Sequence, residues 1–157
     1  LMNRFLKHAI VNFEARLSSI HGGSLRNAIP RECTAVVTVP SDVADELLDE
    51  VAYYDELFKF ELRGIDEGVK FDAVATELPS ALVPEGIQDD VINSVEACFD
   101  GVFRMSPDMP EVVETSSNLA LIDADAEETH VVFLIRSMNE EMKRYLASML
   151  QSVFSQV

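Results

Sequence analysis

The sequence predicts an α+β domain built as two ferredoxin-like halves, with helices packed on one face of a largely antiparallel sheet. Three observations carry that expectation. Residues 32–39 and 129–137 alternate apolar and polar side chains, as half-buried strands do. Other stretches repeat apolar residues every three or four positions, as amphipathic helices do. The order helix, strand, strand, helix, strand is followed by helix, strand, strand, helix. An architecture is repeated without a repeated sequence, dividing one domain of 157 residues into pseudo-halves 1–78 and 79–157.

Leu1, Met2, Phe5, Leu6, Ala9, Ile10 and Phe13 share one face of a first helix. No capping residue precedes them, and natural helices usually begin on Ser, Thr, Asp or Asn. The reading is therefore a piece of a longer chain. Residues 14–20 form a first strand with imperfect alternation. A twelve-residue link, 21–32, leads to the second strand, 32–39. After Pro40, Ser41 or Asp42 is the expected cap of a long helix. In it Val43, Leu47, Val51, Tyr54, Phe58 and Leu62 face inward, and Asp45, Glu46, Asp49, Glu50 and Glu56 form a solvated face. Gly64 suits its C-terminal stop.

Residues 70–78 alternate well enough to predict a strand closed by Pro79. Pro84 and Glu85 introduce a helix carrying Ile87, Val91, Ile92, Val95, Cys98 and Phe99, stopped by Asp100 and Gly101. Residues 104–111, with Pro107 and Pro110, read as a loop. Two strands follow, 115–123 and 129–137. Ser137 and Glu140 have capping-box spacing for the last helix, which carries Met142, Tyr145, Leu146, Met149, Leu150 and Val153. The six methionines read as core filler.

Composition narrows the function. The hydrophobic share is 48%, suited to a packed core, and the net charge is −16. That charge repels phosphate backbones and anionic lipid surfaces, so neither nucleic acid nor membrane is an expected partner. No apolar run approaches the roughly 20 residues of a membrane span. Cys33 and Cys98 read as buried free thiols of a cytosolic protein. The three histidines, His8, His21 and His130, fall in no zinc-binding pattern, and no P-loop or nucleophile elbow exists. His8 and His130 read as surface residues.

What remains is the link 21–32 and Arg136. A hairpin needs only two to five linking residues. This one holds Gly22 and Gly23, which permit positive φ or close backbone approach, and Pro30, which keeps Ile29 extended. Between them Asn27 is either a fixed amide able to polarise a carbonyl or a residue that tolerates a left-handed turn. Arg136 ends an apolar strand. It either grips a carboxylate with its planar fork or simply reaches water.

The run Gly22-Gly23-Ser24-Leu25-Arg26-Asn27-Ala28-Ile29-Pro30-Arg31-Glu32 resembles a signature of bacterial aminoacyl-histidine dipeptidases, carnosinase-like zinc metallopeptidases. Val112-Val113-Glu114-Thr115-Ser116-Ser117-Asn118-Leu119-Ala120 and Leu134-Ile135-Arg136-Ser137 resemble two further stretches of that family, in the same order. The resemblance covers essentially the whole chain, and it implies the lid or dimerisation domain alone. It implies a cytosolic parent enzyme with two zinc ions in a catalytic domain elsewhere, none held by this chain, and no catalytic residue here. It implies that Asn27 lies near the scissile carbonyl of a dipeptide and that Arg136 binds its C-terminal carboxylate. Gly22, Gly23 and Pro30 would position the loop. The implied partners are the parent's catalytic domain and a second copy of the lid. The competing reading is a free-standing ferredoxin-like module that binds a small ligand or oligomerises.

Overall fold

The computed structural model describes residues 1–156. Its elements are α1 (Met2–Phe13), β1 (Arg16–Gly22), β2 (Cys33–Thr38), α2 (Ala44–Glu61), α3 (Glu85–Ala97), β3 (Gly101–Met105), β4 (Val113–Ala124), β5 (Thr129–Ser137) and α4 (Glu140–Phe154). The α+β class holds: five strands form one antiparallel sheet, and four helices lie side by side on one face in the order α2, α1, α3, α4.

Apolar spacing places each helix. Phe5, Leu6 and Ala9 are the buried stripe of α1. That helix ends where Glu14 turns left-handed at φ 52°, so that the Ala15 amide donates back to the Ala9 carbonyl at 3.2 Å. Leu6 joins Leu17 and Ile20 of β1, Val91 and Ile92 of α3, and Ile122 and Ala124 of β4 in the central core. Phe5 and Ala9 join Leu47, Val51, Tyr54 and Phe58 of α2 in a second cluster. Phe5 meets the Tyr54 ring edge-on, 5.2 Å between centroids. The acidic residues Asp45, Glu46, Asp49 and Glu56 stay exposed. Gln88 is a buried polar residue of α3 whose Oε1 accepts from the Leu17 amide at 2.7 Å, stitching helix to sheet.

β4 organises the sheet. β5 pairs with it from Thr115 to Ala124 along one edge. The opposite edge is shared end to end: β3 pairs near residues 113–117, and β1 pairs at Ile122, Asp123 and Ala124. Between those two partners the register slips, Leu119 lying opposite Phe133 and Leu121 opposite Val132. This bulge reverses the strand's alternation. Thr115 and Ser117 point into the core before it, and Ala120, Ile122 and Ala124 after it. Asn118, Leu121 and Asp123 are thereby left on the face the helices do not cover.

Several expectations fail. Residues 70–78 form no strand; they run irregularly over the surface, with Val74 and Leu78 more than four-fifths exposed. Alternation alone does not make a strand, and this stretch pairs with none of the sheet's edges. Gly101–Met105, partly inside the expected loop, is instead the short strand β3. Neither Ser41 nor Asp42 caps α2; Val43 occupies the cap without a side-chain bond. Asn139, not Ser137, caps α4, accepting from the amides of Glu141 and Met142. Met105, Met109, Met138 and Met149 are exposed rather than core filler. Cys33 and Cys98 are free but only half-buried.

Candidate functional site

The link between β1 and β2 is fastened at three points. At its neck the Gly23 amide donates to the Glu32 carbonyl at 3.2 Å. Gly23 has φ +76°, and a Cβ there would stand 2.1 Å from the carbonyl oxygen of Ala120 in the β4 bulge. Only glycine fits that approach. Gly22 is a different case. A Cβ there would crowd Cys33 Sγ at 3.0 Å and Ile122 Cγ2 at 3.1 Å, so its role is packing rather than positive φ. Pro30 is half-buried on the return side of the loop.

At the tip, the Ala28 amide donates to the Leu25 carbonyl at 3.1 Å, closing a turn with Arg26 and Asn27 in its two central positions. Asn118 of β4 then donates from Nδ2 to the Ala28 carbonyl at 2.8 Å. The loop is thus drawn from the β1 edge across the bare face of β4 toward β5. Among the described residues, Glu14 is the one non-glycine residue with positive φ. Asn27 is therefore not placed there to relieve a left-handed turn.

Where the loop meets β5 lies an open cleft of about 650 Å³, lined by Arg26, Asn27, Val132, Phe133, Leu134 and Arg136. Val132, Leu134 and Arg136 alternate onto the bare face. Phe133 and Phe154 pack on the helix side, their ring centroids 6.2 Å apart. The structure so brings together Asn27 and Arg136, which lie more than a hundred positions apart in the sequence. Their wall is cationic and amide-bearing, with no acidic side chain in the lining. Its volume suits a ligand of dipeptide size.

The histidines stand apart from the cleft's lining and from one another's chemistry. His21 Nδ1 lies 2.6 Å from Asp123 Oδ1 on the neighbouring strand. His130 lies 3.1 Å from Glu128. His8 packs against Tyr54, 5.4 Å between ring centroids. Beyond β4, Asp125 is held below the usual carboxylate range, chiefly because the Glu127 and Glu128 amides donate to it. Among the described residues no three His, Cys, Asp or Glu side chains are grouped so that they could hold a metal ion. Two cleft features escaped the sequence reading. Arg26 was only one letter of a motif. Asn118 was a lone amide in a strand, and its partner is 90 residues away.

Residues 1–66 match the family model described as a peptidase dimerisation domain. Over those residues the chain resembles a peptidase dimerisation domain. It is 36% identical over 155 residues to the cytosol non-specific dipeptidase of Escherichia coli K12, an alignment covering 98% of this chain and 32% of that protein. Its structure superposes on the crystal structure of an aminoacylhistidine dipeptidase from Vibrio alginolyticus with a TM-score of 0.91 and 38% identity. That match covers 99% of this chain and 32% of the other. The chain thus spans about a third of the length of these relatives. The family match to the dimerisation domain takes in α1 through α2 and so contains the loop wall of the cleft. The β5 wall lies outside it and is matched by the two relatives.

Proposed function

We propose that residues 1–157 act as the lid and dimerisation domain of a cytosolic dipeptidase that hydrolyses Xaa-His-type dipeptides, and that the domain is not catalytic by itself. The observation that carries this reading is the cleft shared by Asn27 and Arg136. Arg136 would take the C-terminal carboxylate in a bidentate grip. The Asn27 amide, on a turn fastened by Asn118, would donate to the oxygen of the scissile carbonyl as charge develops there. Holding both ends of a dipeptide against a closing domain orients the bond and removes water. Two zinc ions in the parent's catalytic domain would supply the hydroxide and polarise the carbonyl. No three-ligand set for them exists among the described residues of this chain.

Dimer formation through the domain is part of the same proposal. β2 ends the sheet, and among the described residues its outer backbone edge has no strand partner, which leaves it open to pairing with a second copy. The partners are thus the parent's catalytic domain, a second lid and the dipeptide.

The test is Arg136→Ala in the longer dipeptidase. KM for Ala-His should rise by about tenfold or more, the worth of a charge-assisted bond, with thermal stability unchanged. An unchanged KM would remove Arg136 from the site.

A further inference from the structure

The cleft holds one more cation than a single carboxylate requires. This is a strongly acidic protein, with 28 Asp and Glu against 12 Lys and Arg. Most of its cations are accordingly paired. Eight of the twelve lie within 4.0 Å of a carboxylate among the described residues. Lys7, Arg26, Arg63 and Arg136 have no such neighbour among the described residues. Arg63 instead folds over its own helix end, its guanidinium 3.9 Å from the centroid of the Phe60 ring. Two of the remaining three, Arg26 from the loop and Arg136 from β5, line the same cleft, and no carboxylate shares that lining.

We infer that the cleft is a two-cation site for a dianionic ligand, Arg136 taking one carboxylate and Arg26 the second. The ligand class is a dipeptide whose C-terminal residue is itself acidic. This inference rests on the proposed role of Arg136 and extends it, widening the substrate class beyond Xaa-His.

The physical case has three parts. Two guanidinium groups facing one cleft repel each other, and an anion bound between them relieves that repulsion as well as adding attraction. Arg26 is held at its backbone, since it sits in a turn closed by Leu25 and Ala28 and pinned by Asn118. Less ordering entropy is therefore spent when it binds. The cleft, at about 650 Å³, has room for a side-chain carboxylate beside the main-chain one. Its apolar floor, Val132 and Leu134, offers contact to the methylene groups between them. The surrounding net charge of −16 repels anions in general, so capture depends on these two local cations.

Binding of N-acetylglycine, with one carboxylate, and N-acetylaspartate, with two, can be followed by NMR on this chain at about 0.15 M salt, where long-range repulsion is screened. The aspartate derivative should bind roughly tenfold more tightly, the worth of one added charge-assisted contact. Arg26→Gln should erase that preference, bringing the affinity for the aspartate derivative down to that for N-acetylglycine. Arg26→Lys, which keeps the charge, should retain most of the preference. Arg136→Gln should weaken both ligands. Equal binding of the two acids by the unmodified chain, or an undiminished preference in Arg26→Gln, overturns the two-cation site. The affinity for N-acetylglycine reports on Arg136 separately, so its loss or survival in Arg136→Gln judges that earlier reading alone. No response of the cleft to either acid overturns both. Arg26 is exposed, and a circular-dichroism spectrum confirms that its variants keep the fold.

Discussion

At Gly23 one hydrogen atom decides how the loop can run. The position combines φ +76° with an approach that would bring a Cβ to 2.1 Å from the Ala120 oxygen. Gly23→Ala should cost about 3 kcal/mol, from backbone strain plus a displaced strand, read as a lowered urea midpoint. A loss under about 1 kcal/mol would mean that the bulge can move aside. The glycine pair itself was legible as a place needing unusual backbone freedom. Which glycine needed positive φ, and which only close packing, was not, because the crowding atoms lie in β4 and β2. Asn27 shows the same limit. Its amide was visible, but its two possible roles separate only once its φ and its neighbours are known. Cys33 is a further case. Its packing under Gly22 pushes the thiol up to about 11, through burial, which no spacing rule reveals.

Elements were legible where their periodicity was strong and unreliable at their ends. The apolar stripes of α1 and α2 placed those helices closely. The last helix was right in body and wrong in cap. Ser137 Oγ accepts from the Asn139 amide and donates to the Asn139 carbonyl, so it shapes the approach to the helix. Asn139 Oδ1 takes the helix amides of Glu141 and Met142. Asn139→Ala should therefore cost about 1 kcal/mol in chemical denaturation. If Glu140→Ala costs as much and Asn139→Ala nothing, the capping box is the true device. The segment after α2 failed more completely. Phe71 is drawn to the helix rather than into a sheet, its ring 5.3 Å from Phe58 and its amide donating to Asp55 Oδ1 at 2.8 Å. The Lys59 ammonium and that amide hold the Asp55 carboxyl below its ordinary range. A lowered folded-state value means the stabilisation is present above the ordinary Asp pKa and is lost as pH falls through the lowered one. The Phe71 amide resonance should stay fixed down to about pH 4 and shift only below it. A midpoint at or above that value would refute the contact.

Charge is a property of the whole molecule. With a net charge of −16, repulsion among carboxylates outweighs the exposed ion pairs, each of which is worth little. Raising ionic strength from about 0.01 M to 0.15 M shortens the screening length from about 30 Å to 8 Å. The melting temperature should then rise, by about 3 °C for each kcal/mol of repulsion relieved. A fall would show that the ion pairs dominate. The same surplus of acid makes an unpaired pair of arginines in one cleft informative.

By itself the sequence determined the α+β class and the inward faces of the helices, because side-chain periodicity reports locally on burial. It also carried the family resemblance, through the order of three separated motifs. Only the tertiary structure decided that β1 and β3 share one edge of β4, that a bulge at residues 119–121 turns Asn118 toward the bare face, and that the loop crosses that face to reach Arg136. Those outcomes depend on strand register and on hydrogen bonds between residues some 90 positions apart. Packing of the whole sheet selects them, and no local pattern encodes them.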